Sequence, residues 1–124
     1  MADTYLPRFL PGRSITFVPE SPVVAGRFVK LGAGDKAIVM AGANDYSIGV
    51  AATDGETNQE TTVWTLTGTV HRVEAAADIK TGDLLSVAAD GKAAPAGAVD
   101  PIIVGRAIEN ATAGTPAVFI GIGA

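Results

Sequence analysis

His71 is the only histidine among the 124 residues, and a general base needs a nucleophile and an orienting acid close by. Ser14, Ser21, Ser47 and Ser86 stand in no nucleophile-elbow pattern, so His71 reads as a strand or surface histidine. Gly32-Ala33-Gly34-Asp35-Lys36 has the small residues of a phosphate loop but not the GxxxxGK(S/T) spacing. No helix pattern follows it to supply amide donors and a dipole, so it reads as a turn. The acids Asp35, Asp54, Glu56, Glu60, Asp83 and Asp90 are spread over turn segments. They lack the tight alternation that calcium ligands require. Without cysteine, neither a disulfide nor a thiolate metal site exists. No catalytic, cofactor-binding or metal-ligating residue is assigned, and the chain reads as a non-enzyme without a cofactor.

Two smaller motifs carry chemistry of their own. Asp35-Lys36-Ala37 is similar to the lysine-bearing hairpin tip of lipoyl carrier domains, which makes Lys36 a candidate acylation site. The second half of the chain repeats the lysine as Asp90-Gly91-Lys92-Ala93, and the surrounding residues do not otherwise follow that family. Asn110-Ala111-Thr112 matches a glycosylation sequon, which matters only in a secreted chain.

The elements that must carry these residues follow from composition. The chain is 48% hydrophobic and 18% charged, which belongs to a folded domain rather than a disordered one. Fifteen Gly and seven Pro punctuate short Val-, Ile- and Thr-containing runs, a pattern of strands and turns. The net charge of −4 and the absence of a Lys/Arg cluster argue against a nucleic-acid partner. No apolar run reaches the roughly 20 residues of a membrane span. No basic stretch followed by an apolar core opens the chain, so synthesis in a cytoplasm is expected.

An internal repeat organises the chain. At an offset of 56 residues, Val23–Leu31 falls on Ile79–Val87, Lys36-Ala37 on Lys92-Ala93, and 47–51 on 103–107. With one residue dropped, Val63-Trp64 falls on Val118-Phe119. Repeat 1 is placed at about 23–70 and repeat 2 at about 79–124. Two copies are too few for a solenoid, so an all-β, small β-clip or β-barrel-like domain with the copies packed together is expected. Asp90-Gly91 and Gly34-Asp35 are read as the hairpin turns. Thr69–Val73 alternates like a half-buried strand between the copies, and 74–78 is read as one helical turn.

Residues 1–22 differ in character and are read as an extended arm preceding a β domain over 23–124. Pro7 and Pro11 hold their neighbours extended and remove backbone donors, which argues against a helix or a central strand. Tyr5, Leu6, Phe9 and Leu10 are large apolar groups that need a docking surface, on this chain or another.

The ordered stretches carry a family resemblance. Gly26–Leu31, Ile48–Ala51 with Thr53–Glu56, Val63–Val70, Ala77–Leu85, Val104–Ala107 and Gly114–Ile120 follow one another as in the capsid cement, or head decoration, proteins of tailed bacteriophages. The resemblance spans about residues 14–124, and 79–83 is also similar to the β-clip domains called SAF domains. A β-clip accessory domain of an enzyme is the alternative that this second likeness implies. The cement resemblance implies a homotrimer seated on the outer face of a phage head, with the major capsid protein as partner. On that reading Tyr5, Leu6, Phe9 and Leu10 anchor the arm on the shell, while Arg8 and Arg13 pair with its acids.

Overall fold

The computed structural model describes residues 14–97 and 99–122, and its architecture is all-β. Ten short strands follow one another: β1 (Ser14–Pro19), β2 (Phe28–Leu31), β3 (Ala37–Met40), β4 (Gly49–Ala51), β5 (Thr61–Thr65), β6 (Val70–Glu74), β7 (Leu84–Val87), β8 (Ala93–Pro95), β9 (Gly105–Ala107) and β10 (Pro116–Gly121). The first five close a barrel in the order β1-β3-β2-β4-β5. The last five form a sheet in the order β6-β10-β9-β7-β8. Apart from the link that closes the barrel between β1 and β3, strand n of the first half pairs as strand n+5 of the second does.

The hydrogen bonds establish the repeat residue by residue. Val23 bridges Gly55 as Ile79 bridges Ala111. The Gly26 amide donates to the Ala51 carbonyl as Gly82 donates to Ala107, both at 56 residues' offset. Gly26 and Gly82 hold φ of +76° and +92°, which side chains resist, so each strand β2 and β7 is entered through a glycine turn. The offset also holds in the closing strands, because Ala51 faces Val63 where Ala107 faces Phe119. Val63 therefore corresponds to Phe119 and Trp64 to Ile120, with no residue dropped there. The dropped residue lies earlier: Leu31 faces Ile38 where Val87 faces Ala93, so the second hairpin turn is one residue shorter. The connection from β8 to β9 is one residue longer, which restores the offset. In the shorter turn Asp90 and Gly91 both take positive φ, as the sequence predicts, whereas in the first hairpin the positive φ falls on Lys36.

The boundaries of the units also differ from expectation. Ser14–Pro19 lies between β3 and β5 in the barrel, so the first unit begins at Ser14 and not at Val23. The prolines that argue against a central strand stand at 7 and 11, upstream of this pairing. Its counterpart is Val70–Glu74, which opens the second unit rather than linking the two. The expected helical turn at 74–78 is absent. Instead Ala75 bridges Ala93 and the Ala76 amide donates to the Ala93 carbonyl, the link by which the second unit nearly closes.

That incomplete closure is filled by the first unit. Phe17, Val23, Val29, Ile38, Ala51 and Val63 form the barrel's own core. Phe28, Ala41, Val50 and Leu66 point outward from the barrel and join Val73, Ile79, Leu85 and Phe119 in a larger core between the halves. The rings of Phe28 and Phe119 sit 5.6 Å apart with a 40° tilt, a favourable aromatic arrangement. Arg27 extends the junction, donating to the Asp90 carbonyl at 2.9 Å and lying 3.6 Å from Glu74. At Gly121 a side chain would run into the Leu66 backbone carbonyl. Gly121→Ala is therefore expected to cost about 1–3 kcal/mol by forcing the halves apart. Thermal melts should show this, while Gly97→Ala, which meets nothing nearby, is expected to leave the midpoint unchanged.

Candidate functional site

The six residues expected to grip a partner, Tyr5, Leu6, Arg8, Phe9, Leu10 and Arg13, lie outside the described residues. Several of the chemistry-bearing candidates within them hold the fold. Gly32–Lys36 is a turn, and its amides do meet an anion, but an internal one. The Glu20 carboxylate accepts from the Ala33 amide at 3.0 and 3.1 Å and from Gly34 at 2.9 Å. Lys36 occupies that turn at φ +50°, with its carbonyl accepting from Val18. Lys92, its sequence counterpart, is 3.0 Å from Glu74.

Four acids cap turns rather than converge. Asp54 accepts from the Ala25 amide, Asp83 from Lys80 and Asp78 from Ala113. Asp45 bonds Lys30 at 2.9 Å and the Gly42 amide at 2.7 Å, and the lysine contact first, then the amide, holds its carboxyl below the usual range. Glu74 is likewise lowered, first by its hydrogen bond to Lys92. Among the described residues no three His, Asp or Glu side chains gather as metal ligands would. Asn110, the sequon residue, accepts from the Thr81 amide and hydroxyl. The buried Ser47 and Ser86 hydroxyls donate to backbone carbonyls, so neither is a poised nucleophile. No helix among the described residues is long and apolar enough to cross a membrane.

His71 is buried on β6, its ring 5.7 Å from Phe119. Its Nε2 lies 3.0 Å from the Thr65 carbonyl, which can only accept, so the neutral ring carries its proton on Nε2. Burial pushes its pKa below 6.5, against the weaker opposite pull of backbone contacts at Thr65 and Leu66. The unfolded chain therefore binds a proton near pH 6.5 that the folded chain refuses. The contribution of His71 to stability is level above that pH and declines as the pH falls below it toward the lowered value. Denaturant melts between about pH 7.5 and 5 should show this decline, and His71→Gln, which retains a donor for Thr65, should flatten it.

What the side chains do present is an apolar sheet face that periodicity alone did not single out. The register places Val70, Ile120, Arg106 and Leu84 in one transverse row across β6, β10, β9 and β7. Directly paired residues share a face, so these four side chains lie together on the outer side of the second sheet. Arg72 and Val118 form the adjoining row, and Ile122 continues the β10 side. In sequence the row is dispersed from position 70 to position 120, and only strand pairing assembles it.

Comparisons with known proteins agree with this architecture. The described fold is similar to the solved N base of the head fiber gp8.5 in bacteriophage phi29, with a TM-score of 0.73 and 30% sequence identity. That likeness covers 88% of this chain and 92% of the other. A comparison with curated proteins finds no match. A family profile described as phage cement protein matches residues 9–122, which takes in Phe9, Leu10, Arg13 and both β units. With a doubled β body, turn-capping acids and a match over nearly its whole length, this chain belongs to the phage cement protein family.

Proposed function

We propose that this protein is a structural component of the phage head that binds the outer surface of the assembled capsid and stabilises it, as a homotrimer made in the host cytoplasm. The observation that carries the reading is the family match over residues 9–122. The likeness to a head-fiber base supports the location on the virion. The fold supports a binding role, since Asp54, Asp83, Ser47, Ser86 and His71, all weighed for chemistry, bond the backbone.

The mechanism is linkage. A protein that binds the assembled shell, and not its loosened or unassembled subunits, shifts the equilibrium toward the shell in proportion to occupancy. Three linked grips on a symmetric lattice add avidity to weak single contacts. Tyr5, Leu6, Phe9 and Leu10 are the anchors, and Arg8 and Arg13 pair with shell carboxylates. The family match begins at residue 9, so Tyr5, Leu6 and Arg8 lie ahead of the region shared with the family.

The test is direct. Purified protein is mixed with heads lacking it, and occupancy is read by cryo-electron microscopy alongside the temperature at which the heads open. Saturable density on the outer surface and a raised opening temperature are expected. Protein that stays in the supernatant under all salt conditions refutes the reading.

A further inference from the structure

The two units present the same contact face in two different states. In the first unit the outward positions Phe28, Val50 and Leu66 are 0%, 4% and 1% exposed, because they are seated in the core between the halves. Trp64, next to Val50 in that row, lies at its margin and is 45% exposed, so the units differ at the other three positions and not at Trp64 and its counterpart Ile120. The counterparts of the three seated residues at the 56-residue offset are Leu84, Arg106 and Ile122. Leu84 is 38% and Ile122 40% exposed, with Ile120 at 42% and Val70 at 56% beside them. A sheet face turned to water normally carries polar side chains. Here the face that serves the first unit as its packing surface stays largely apolar in the second, with Arg106 at the place of Val50, and its apolar side chains are exposed among the described residues.

The charges on and around that face say what fits. Arg106 sits within the row, and Arg72 beside it. Arg106 directs one guanidinium nitrogen to the Gly82 carbonyl at 2.9 Å, a neutral partner that leaves its charge unmatched. Among the described residues neither arginine lies within ion-pair distance of a carboxylate, while Arg27, Lys30 and Lys92 each have one. Two such faces pressed together would bring like charges into a desolvated contact, which disfavours a face-to-face pair. The occupant must be apolar and carry a carboxylate.

This chain displays one such surface itself. Val99 and Ile102 are both exposed, Val99 the most of any large apolar side chain described, and Asp100 lies between them. Asn44 holds this loop in place, accepting from the Ile102 amide at 2.9 Å and donating to the Asp100 carbonyl at 3.3 Å. No other described acid is flanked by two exposed large apolar groups in this way.

We propose that the outer face of the second sheet is a self-association surface, which receives the Val99–Ile102 loop of a second copy with Asp100 against Arg106. The contact joins two different patches, so each copy offers one of each, the head-to-tail geometry from which a ring closes when the rotation between copies permits. The inference rests on the reading that the chain self-associates, and it adds which surfaces do so.

The test uses the full chain and sedimentation or light scattering across a concentration series. Ile120→Asp is expected to raise the dissociation constant by about tenfold or more, the scale of a central interface residue. Asp100→Asn and Arg106→Gln each weaken assembly, and the double variant is no weaker than either, because both remove one shared contact. These two are exposed polar changes, so they keep the test alive if Ile120→Asp fails to fold. A monomeric wild type overturns the self-association reading and this surface together. A wild-type oligomer indifferent to Ile120→Asp, or additive losses for the polar pair, overturns this surface alone. Unchanged assembly with lost head binding assigns the face to the shell and also overturns it.

Discussion

A variant beginning at Ser14 is expected to lose head occupancy while its body still folds. Residues 1–13 carry Tyr5, Leu6, Phe9 and Leu10, four large apolar groups in a segment punctuated by Pro7 and Pro11. Proline-restricted segments lose less conformational entropy on docking, so more of the contact energy appears as affinity. Each well-seated anchor of this kind contributes about 2 kcal/mol or more, so removing four lowers affinity by several powers of ten. The body is expected to survive because, among the described residues, Ser14 already pairs with Trp64 and a barrel core forms from Phe17 onward. The truncated chain should keep a cooperative thermal melt and its strand signature by circular dichroism, yet leave heads bare. Arg8→Ala with Arg13→Ala should instead produce a milder, salt-dependent loss, since exposed pairs are screened. Full occupancy by the truncated chain would show that the grip lies elsewhere.

The largest effect on stability is expected for Phe119→Ala. Phe119 is fully buried, packs on Phe28 from the other unit and borders His71. It occupies the place that Val63 fills in the first barrel, but with a larger ring, because the second unit's interior is shared with the first. Truncation leaves a cavity walled by both units that neither can collapse alone, costing about 3–5 kcal/mol. For a domain of this size that corresponds to a fall of roughly 10–20 °C in thermal midpoint. Val63→Ala, inside the self-contained barrel, removes fewer atoms and should cost less, about 1–3 kcal/mol by the same reasoning. Equal melting points for Phe119→Ala and wild type would mean that the shared core does not hold the halves together.

Much of the fold is legible because each signal is local. The Gly26 and Gly82 turns, the Asp90-Gly91 hairpin and the alternating apolar runs follow from backbone sterics and period-two burial, and the offset between the copies makes them mutually reinforcing. The misplacements have physical causes too. Proline at 7 and 11 biases the reading of Ser14–Pro19, although a proline constrains only itself and its predecessor. Matching Val-Trp to Val-Phe by type puts the dropped residue in the closing strands, whereas the ladders place it in the β7–β8 turn. A short turn absorbs a deletion; a strand cannot without flipping every later side chain to the other face.

The candidate contacts divide along the same line. The arm is proposed from composition: large apolar groups beside prolines point to docking, because prolines argue against burying them in a helix or central strand. The row Val70, Ile120, Arg106 and Leu84 is not, since each of these residues looks ordinary in its own strand. The amino-acid sequence by itself determined an all-β chain built twice from one strand-and-turn unit, because turn sterics and burial period act over a few residues. Only the tertiary structure decided how the twin units differ. The first closes on itself and seats Phe28, Val50 and Leu66 of its outer face in the shared core, while the second is left open and, among the described residues, keeps the counterparts exposed. Which of two equivalent faces meets solvent is a matter of how the units pack on each other, and that energy is non-local.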